Sequence, residues 1–339
     1  MHLRLSMLST LALALACCTA RENGPPPLSS PTFDKALLIL QKDAHDADPT
    51  VRANCIEALQ VSADPRAAEI IEQGLHDDEW VVRFAAAMAA GVRKLDTVRP
   101  VLNTLVEHDP SGSVRAGCIY ALHQMGDSRH MSELFQLLQR LDAPTRANTA
   151  MVLGSIGENG AIPILQMAAD DRDIRVKFEI TRALARLGDE NSVKVVDSWA
   201  LNKFSEDQLN AMIVAKDLDP NAGRNILLLG LQGPPNEFPK DFTDRDKNTV
   251  RNLTLQRQLL AAASMARLGD GSGAQIALDN LKNPEPRFRA LAVLALGEMM
   301  TSFKAPRLDS MLSDADPGVR RAAAAAVVKI YARAAKGKL

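Results

Sequence analysis

One short pattern, Asp-Pro-x-x-Val-Arg, returns along this chain at a near-constant step, and a fixed step leaves few folds open. It is clearest at Asp48-Pro49-Thr50-Val51-Arg52 and at Asp316-Pro317-Gly318-Val319-Arg320. Between these stand Trp80-Val81-Val82-Arg83, Ser113-Val114-Arg115, Pro144-Thr145-Arg146, Asp173-Ile174-Arg175-Val176-Lys177 and Pro286-Arg287-Phe288-Arg289. Counted from the basic residue, the anchors at 52, 83, 115, 146 and 177 are separated by 31, 32, 31 and 31 residues. The series resumes at Gln258, a weak copy, and continues to 289 and 320 in steps of 31. A period of this size marks a stacked array, in which each unit buries its apolar face against its neighbours.

Each anchor opens a run rich in Ala and Leu, such as Val114 to Leu122, which closes on Gly126-Asp127. Equivalent stops stand at Gly157-Glu158, Gly188-Asp189 and Gly269-Asp270. Ala and Leu favour helix, Gly just past the last turn ends one, and Asp suits the start of one. A second apolar run precedes each anchor, as in Ala67 to Leu75, with apolar residues three and four apart. The unit is therefore helix, turn, helix, turn, and no stretch alternates long enough to argue for a strand.

On these residues the chain resembles the HEAT-repeat proteins, in the short-repeat variety named after the phycobilisome lyases. The resemblance runs from about Phe33 to Lys336 and is faint near Gln208, where 177 plus 31 places an anchor. It implies an all-α, right-handed α-solenoid of about nine repeats of about 31 residues, stacked into a curved rod. The Asp/Arg signature reads as structural: Arg reaches the turn of the adjacent repeat and fixes register.

The first 16 residues read differently. Met1 to Arg4 is a short basic head and Leu5 to Ala16 a compact apolar run, too short to span a bilayer and laid out as a secretory signal peptide. Cys17, after Ala14-Leu15-Ala16, resembles the lipidated cysteine of a bacterial lipoprotein, with Cys18 the less suited acceptor. Residues 17–32, with Pro25, Pro26, Pro27 and Pro31, read as an extended tether, and 33–339 as the solenoid. The expected location is the bacterial envelope, membrane-anchored by lipid alone and facing the periplasm or outer membrane.

Function is harder to read. A formal net charge of −1 gives no electrostatic hold on nucleic acid. Cys55 and Cys118 occupy equivalent positions two repeats apart, too far for a disulfide, and read as small buried residues. His45-Asp46, His76-Asp77 and His108-Asp109 recur once per repeat, so they do not converge on one metal ion. No catalytic motif, metal site or cofactor site is read.

Two departures from the repeat remain. The position five after the anchor, polar at Glu57, becomes Met88, Tyr120 and Met151, with Phe84 one turn before Met88; these four suggest an apolar stripe for a partner protein. The step from 208 to 258 carries 19 extra residues, placed at 231–252 as an inserted loop outside either helix, with Phe238 and Phe242 as candidate anchors. The expected function is a non-catalytic, protein-binding scaffold. The alternative is an enzyme or accessory subunit of the lyase type whose site the sequence does not reveal.

Overall fold

The Asp-Pro pair starts the second helix of a repeat. Asp48 accepts a hydrogen bond from the Thr50 backbone N–H at 2.8 Å, and Pro49 fills the first helical position, where a missing N–H costs nothing. Asp64, Asp142, Asp173, Asp189 and Asp219 cap helices in the same way. The computed structural model describes residues 30–202, 205–235, 237–299 and 306–335.

Among the described residues eighteen α-helices follow in nine pairs. They are α1 (Pro31–Asp43) with α2 (Pro49–Leu59), α3 (Pro65–Gly74) with α4 (Trp80–Arg93), and α5 (Arg99–His108) with α6 (Gly112–Gln124). Next come α7 (Glu133–Leu137) with α8 (Ala143–Ile156), α9 (Ile162–Met167) with α10 (Ile174–Arg186), and α11 (Glu190–Leu201) with α12 (Ser205–Ala215). The last three pairs are α13 (Pro220–Gly230) with α14 (Asp244–Arg267), α15 (Ala274–Asp279) with α16 (Pro286–Met299), and α17 (Pro306–Met311) with α18 (Pro317–Ala335). No strand occurs among the described residues. Pro31 and Thr32, assigned to the tether from sequence, instead form the first turn of α1, capped by Ser30.

The helix stops need a left-handed residue. Gly126, Gly157, Gly188 and Gly269 all have φ between 79° and 89°. The next residue then bonds back into the helix, as Asp127 N–H does to the Leu122 carbonyl at 2.9 Å.

The arginine ladder is present and explains the repeat's signature. Arg52 grips Asp77 through two N–H groups at 2.8 and 2.7 Å, Arg83 grips Asp109 at 2.7 and 3.1 Å, Arg146 grips Asp171 at 2.6 and 2.8 Å, and Arg289 grips Asp314 at 2.9 and 2.8 Å. A further guanidinium nitrogen donates to two carbonyls of the arginine's own turn, for Arg146 those of Arg140 and Leu141. Planar bidentate pairing of this kind fixes angle as well as distance. The ladder is broken where the sequence departs from the pattern: the anchors at 177 and 258 are Lys and Gln, and 25 residues after Arg115, where Arg146 has Asp171, stands Arg140. Arg115 turns to Glu133 instead, at 2.8 Å.

Small residues let the second helices of adjacent repeats touch. A Cβ added at Gly154 of α8 would lie 2.8 Å from the Ala183 backbone of α10, and one at Gly297 of α16 would lie 2.9 Å from that of Ala326 on α18.

The structure corrects the expected curved rod: the array closes into a ring. Helix α18 packs against both α1 and α2. At this seam the rings of Phe33 and Tyr331 lie 4.9 Å apart, the hydroxyls of Ser30 and Tyr331 are hydrogen-bonded, Lys35 Nζ donates to Ser313 Oγ at 2.6 Å, and Arg321 pairs with Asp43 at 3.1 Å. Phe33, Leu37 and Leu40 of α1 are thereby buried. In an open array they would form an apolar end requiring a polar cap. One continuous core joins α14–α18 through the seam to α1–α10, while a smaller cluster around Met212 and Met265 serves the sixth and seventh repeats.

The inserted loop is also shorter than expected. Residues 244–252, placed in it from sequence, form the first turns of the 24-residue α14. The reason is a capping box: Thr243 Oγ1 accepts from the Asp246 N–H at 3.2 Å, and Asp246 accepts from the Thr243 N–H at 2.9 Å.

Candidate functional site

The apolar stripe of the second to fourth repeats is not an open surface. Tyr120 is only 8% exposed. Its ring lies where Gly91 of α4, in the preceding repeat, has no side chain; a Cβ there would come within 2.7 Å of Tyr120 Cε1. Tyr120 is therefore a packing residue of the α4–α6 seam, and its burial raises the pKa of its phenol. Phe84 covers Gly117 from the other side of the same seam, where an added Cβ would meet it at 2.9 Å. Phe84, Met88 and Met151 are half-buried. Phe238 and Phe242 are half-buried too, with ring centroids 6.3 Å apart and Arg251 lying 5.4 Å over Phe238. This folds the insertion back onto the start of α14.

Cys55 and Cys118 are buried free thiols, and burial pushes Cys55 up to about 12. The aspartates of the His-Asp pairs 76–77 and 108–109 are occupied by Arg52 and Arg83, while His76 and His108 face solvent. Among the described residues no group of His, Cys, Asp and Glu could hold a metal, and no helix is long and apolar enough to cross a membrane. Cys17 and Cys18 lie outside the described residues.

Two features remain that could bind. The first is on the turn edge of the fourth and fifth repeats, where Leu141, Met167 and Ile174 are 88%, 77% and 76% exposed. Arg146 ties the two turns together, holding the Leu141 carbonyl at 2.8 Å and the Asp171 carboxylate at 2.6 Å. Sequence periodicity could have found Ile174, since it stands where other repeats carry the capping proline.

The second is a partly open cavity of about 620 Å³ lined by α2, α12, α14, α16 and α18. Closure creates it, because the first repeat supplies one wall and the last four supply the rest. Leu40, Ala58, Val61, Met212, Ile213, Leu259, Leu260, Ala263, Leu291, Leu294 and Ala325 make its surface largely apolar. Its polar pole is Lys216, Arg267, Glu298 and Lys329. Buried Glu298 takes Arg267 at 2.8 Å and also pairs with Lys329 and Arg333. Its burial acts to raise the carboxyl pKa, but Arg267 and Lys329 outweigh that and hold it below the usual range. Lys216 has no hydrogen bond or ion pair among the described residues, and burial and Arg267 bring it down to about 8. A signal for this pole was in the sequence: Arg267, Glu298 and Lys329 each stand nine after their anchors in three successive repeats.

The family model for HEAT repeats matches residues 34–123 and 131–212, just over half of the chain. The chain belongs to the HEAT-repeat family. No curated protein matches it. Among solved structures it is similar to the complex of CpcE and CpcF of phycocyanin lyase from Nostoc sp. PCC7120, at 19% identity over 70% of this chain and 97% of that one, with a TM-score of 0.37. It is also similar to human deoxyhypusine hydroxylase in complex with glycerol, at 15% identity over 88% of this chain and 96% of that one, TM-score 0.34. An engineered protein matches at 16% identity over 89% and 99%, TM-score 0.29. Similarity at this level says nothing about activity.

Proposed function

We propose that this HEAT-repeat ring is a non-catalytic scaffold of the bacterial cell envelope that binds another protein, exported by residues 1–16 and anchored by lipid on Cys17. The observation that carries partner binding is the exposed trio Leu141, Met167 and Ile174. Three large apolar side chains more than three-quarters exposed, at or beside two turns tied by one arginine, are surface of the kind that partners cover. The ladder beneath keeps the patch rigid, so little ordering cost opposes binding.

The test is a pull-down from envelope extract with the intact protein and with a Leu141→Asp/Ile174→Asp variant. The variant should melt as the parent does and lose the captured partner. Equal capture by both proteins would remove the patch from the mechanism. Anchoring is tested apart: Cys17→Ser should abolish fatty-acid labelling and release the protein from membranes, and persistent labelling would move the anchor to Cys18 or refute it.

The central cavity favours a second reading, that of an enzyme or an accessory subunit. Convergent polar groups in a concave apolar site are what such a protein needs.

A further inference from the structure

The cavity combines an apolar wall with a surplus of positive charge. Arg267, Lys329 and Arg333 share the single carboxylate of Glu298, and Lys216 has no partner among the described residues. The other charges that line the cavity are Glu57, which is solvent-exposed, and Arg321, which is taken by Asp43. Lys216 is half-buried, and the carboxylates of Asp217 and Glu298 act on it from a distance without bonding to it. Drawing an ammonium out of water with no bonded anion is costly, and proteins retain such a group where something supplies that anion.

From this arrangement we infer that the cavity binds an amphipathic organic anion, an apolar body with one carboxylate- or phosphate-type head, and that Lys216 receives the head while Arg267 and Lys329 flank it. Each part of the ligand follows from one part of the site. An inorganic anion would leave Met212, Ile213, Leu259, Leu291 and Leu294 facing water. A neutral apolar molecule would leave Lys216 unpaired, and a cation would meet three like charges. About 620 Å³ is the size of an ordinary small-molecule site. The depressed Lys216 is consistent with this, since a bound anion would favour the ammonium and raise its pKa again. The inference goes beyond the scaffold reading and does not depend on the patch of the fourth and fifth repeats.

The experiment is calorimetric titration of the intact chain with dodecanoate and with dodecyltrimethylammonium, both below their micelle concentrations, and with acetate. Dodecanoate should saturate at one per chain and bind at least about tenfold more tightly than the cation of equal length, a factor equivalent to one modest charge contact. Acetate should give no saturable heat. Lys216→Met should weaken dodecanoate about tenfold and Lys216→Arg should restore most of the loss, with no change in stoichiometry. Ala325→Phe, on a different wall, fills the cavity and should abolish binding; it decides the matter if Lys216→Met does not fold. Absence of saturable dodecanoate binding, equal binding of the dodecyl cation, or unchanged affinity in folded Lys216→Met or folded Ala325→Phe would overturn the proposal.

Discussion

Replacing Tyr120 distinguishes a packed seam from a free surface by a wide margin. An aromatic side chain buries about 150–250 Å². At about 25 cal/mol per Å² this is worth about 4–6 kcal/mol. A compact unfolded chain already buries part of that area, which leaves about 3–4 kcal/mol for Tyr120→Ala. The slot opposite Gly91 cannot collapse easily, because Ala121 and the Gly91 backbone are already in contact range, so a cavity persists and the loss stays near the upper figure. For a domain of 150–250 residues each kcal/mol shifts the melting midpoint by about 2–4 °C, and this larger array should lose about 5–10 °C. Tyr120→Phe removes a hydroxyl with no partner among the described residues and should stay within about 0.5 kcal/mol of the parent. Differential scanning calorimetry on the three proteins reads the effect. A Tyr120→Ala midpoint within about 1 °C of the parent would refute the packing argument, because that is how an exposed residue behaves.

Arg146→Met breaks a pair whose side chains are 8% and 11% exposed and leaves Asp171 uncompensated; urea unfolding should show a loss of about 3 kcal/mol or more. The guanidinium of Arg146 holds the Asp171 carboxyl below the ordinary range, and Arg289 does the same for Asp314. A depressed carboxyl adds stability above its unfolded value of about 3.9 and loses it as pH falls through the folded value. The midpoint should therefore be flat between about pH 7 and 5 and fall below about pH 4, with a smaller fall in Arg146→Met. Spin labels at Lys35 and Ser313, whose side chains touch across the seam, should report a short distance by pulsed electron resonance. An open row of nine repeats, eight steps of about 8–10 Å, would put them about 65–80 Å apart.

The repeat was legible because its chemistry is local. Asp-Pro writes a helix start, Gly-Asp a stop, and Arg the link to the next unit, so nine helix pairs could be counted from the chain. The faint sixth unit was found by spacing alone, and α12 stands there. Closure was not legible, because it depends on the sum of small rotations between repeats, and no single residue carries that sum. Tyr120 misled for a related reason: its polar-to-apolar change looked like a surface signal, but the decisive fact is the missing side chain of Gly91 on the neighbouring helix. The start of α14 could have been read from Thr243-x-x-Asp246, which outweighs the prolines nearby. The cavity pole lay in register nine after the anchor, visible only once the repeats are aligned and the ring is known to gather them.

Because the last helix completes the packing of the first, this molecule counts its units. An open solenoid tolerates the gain or loss of a repeat, since each new member only lengthens a row. Here a tenth unit would have no place and an eighth would leave a gap, so duplication, the usual way such arrays grow, is closed to it while the ring is kept. The order of the units along the chain is by contrast almost free. Linking residue 30 to residue 335, beside Phe33 and Tyr331, and opening the chain at an exposed turn such as Gly157-Glu158 should give a permuted protein with the same seam, now held by a covalent link.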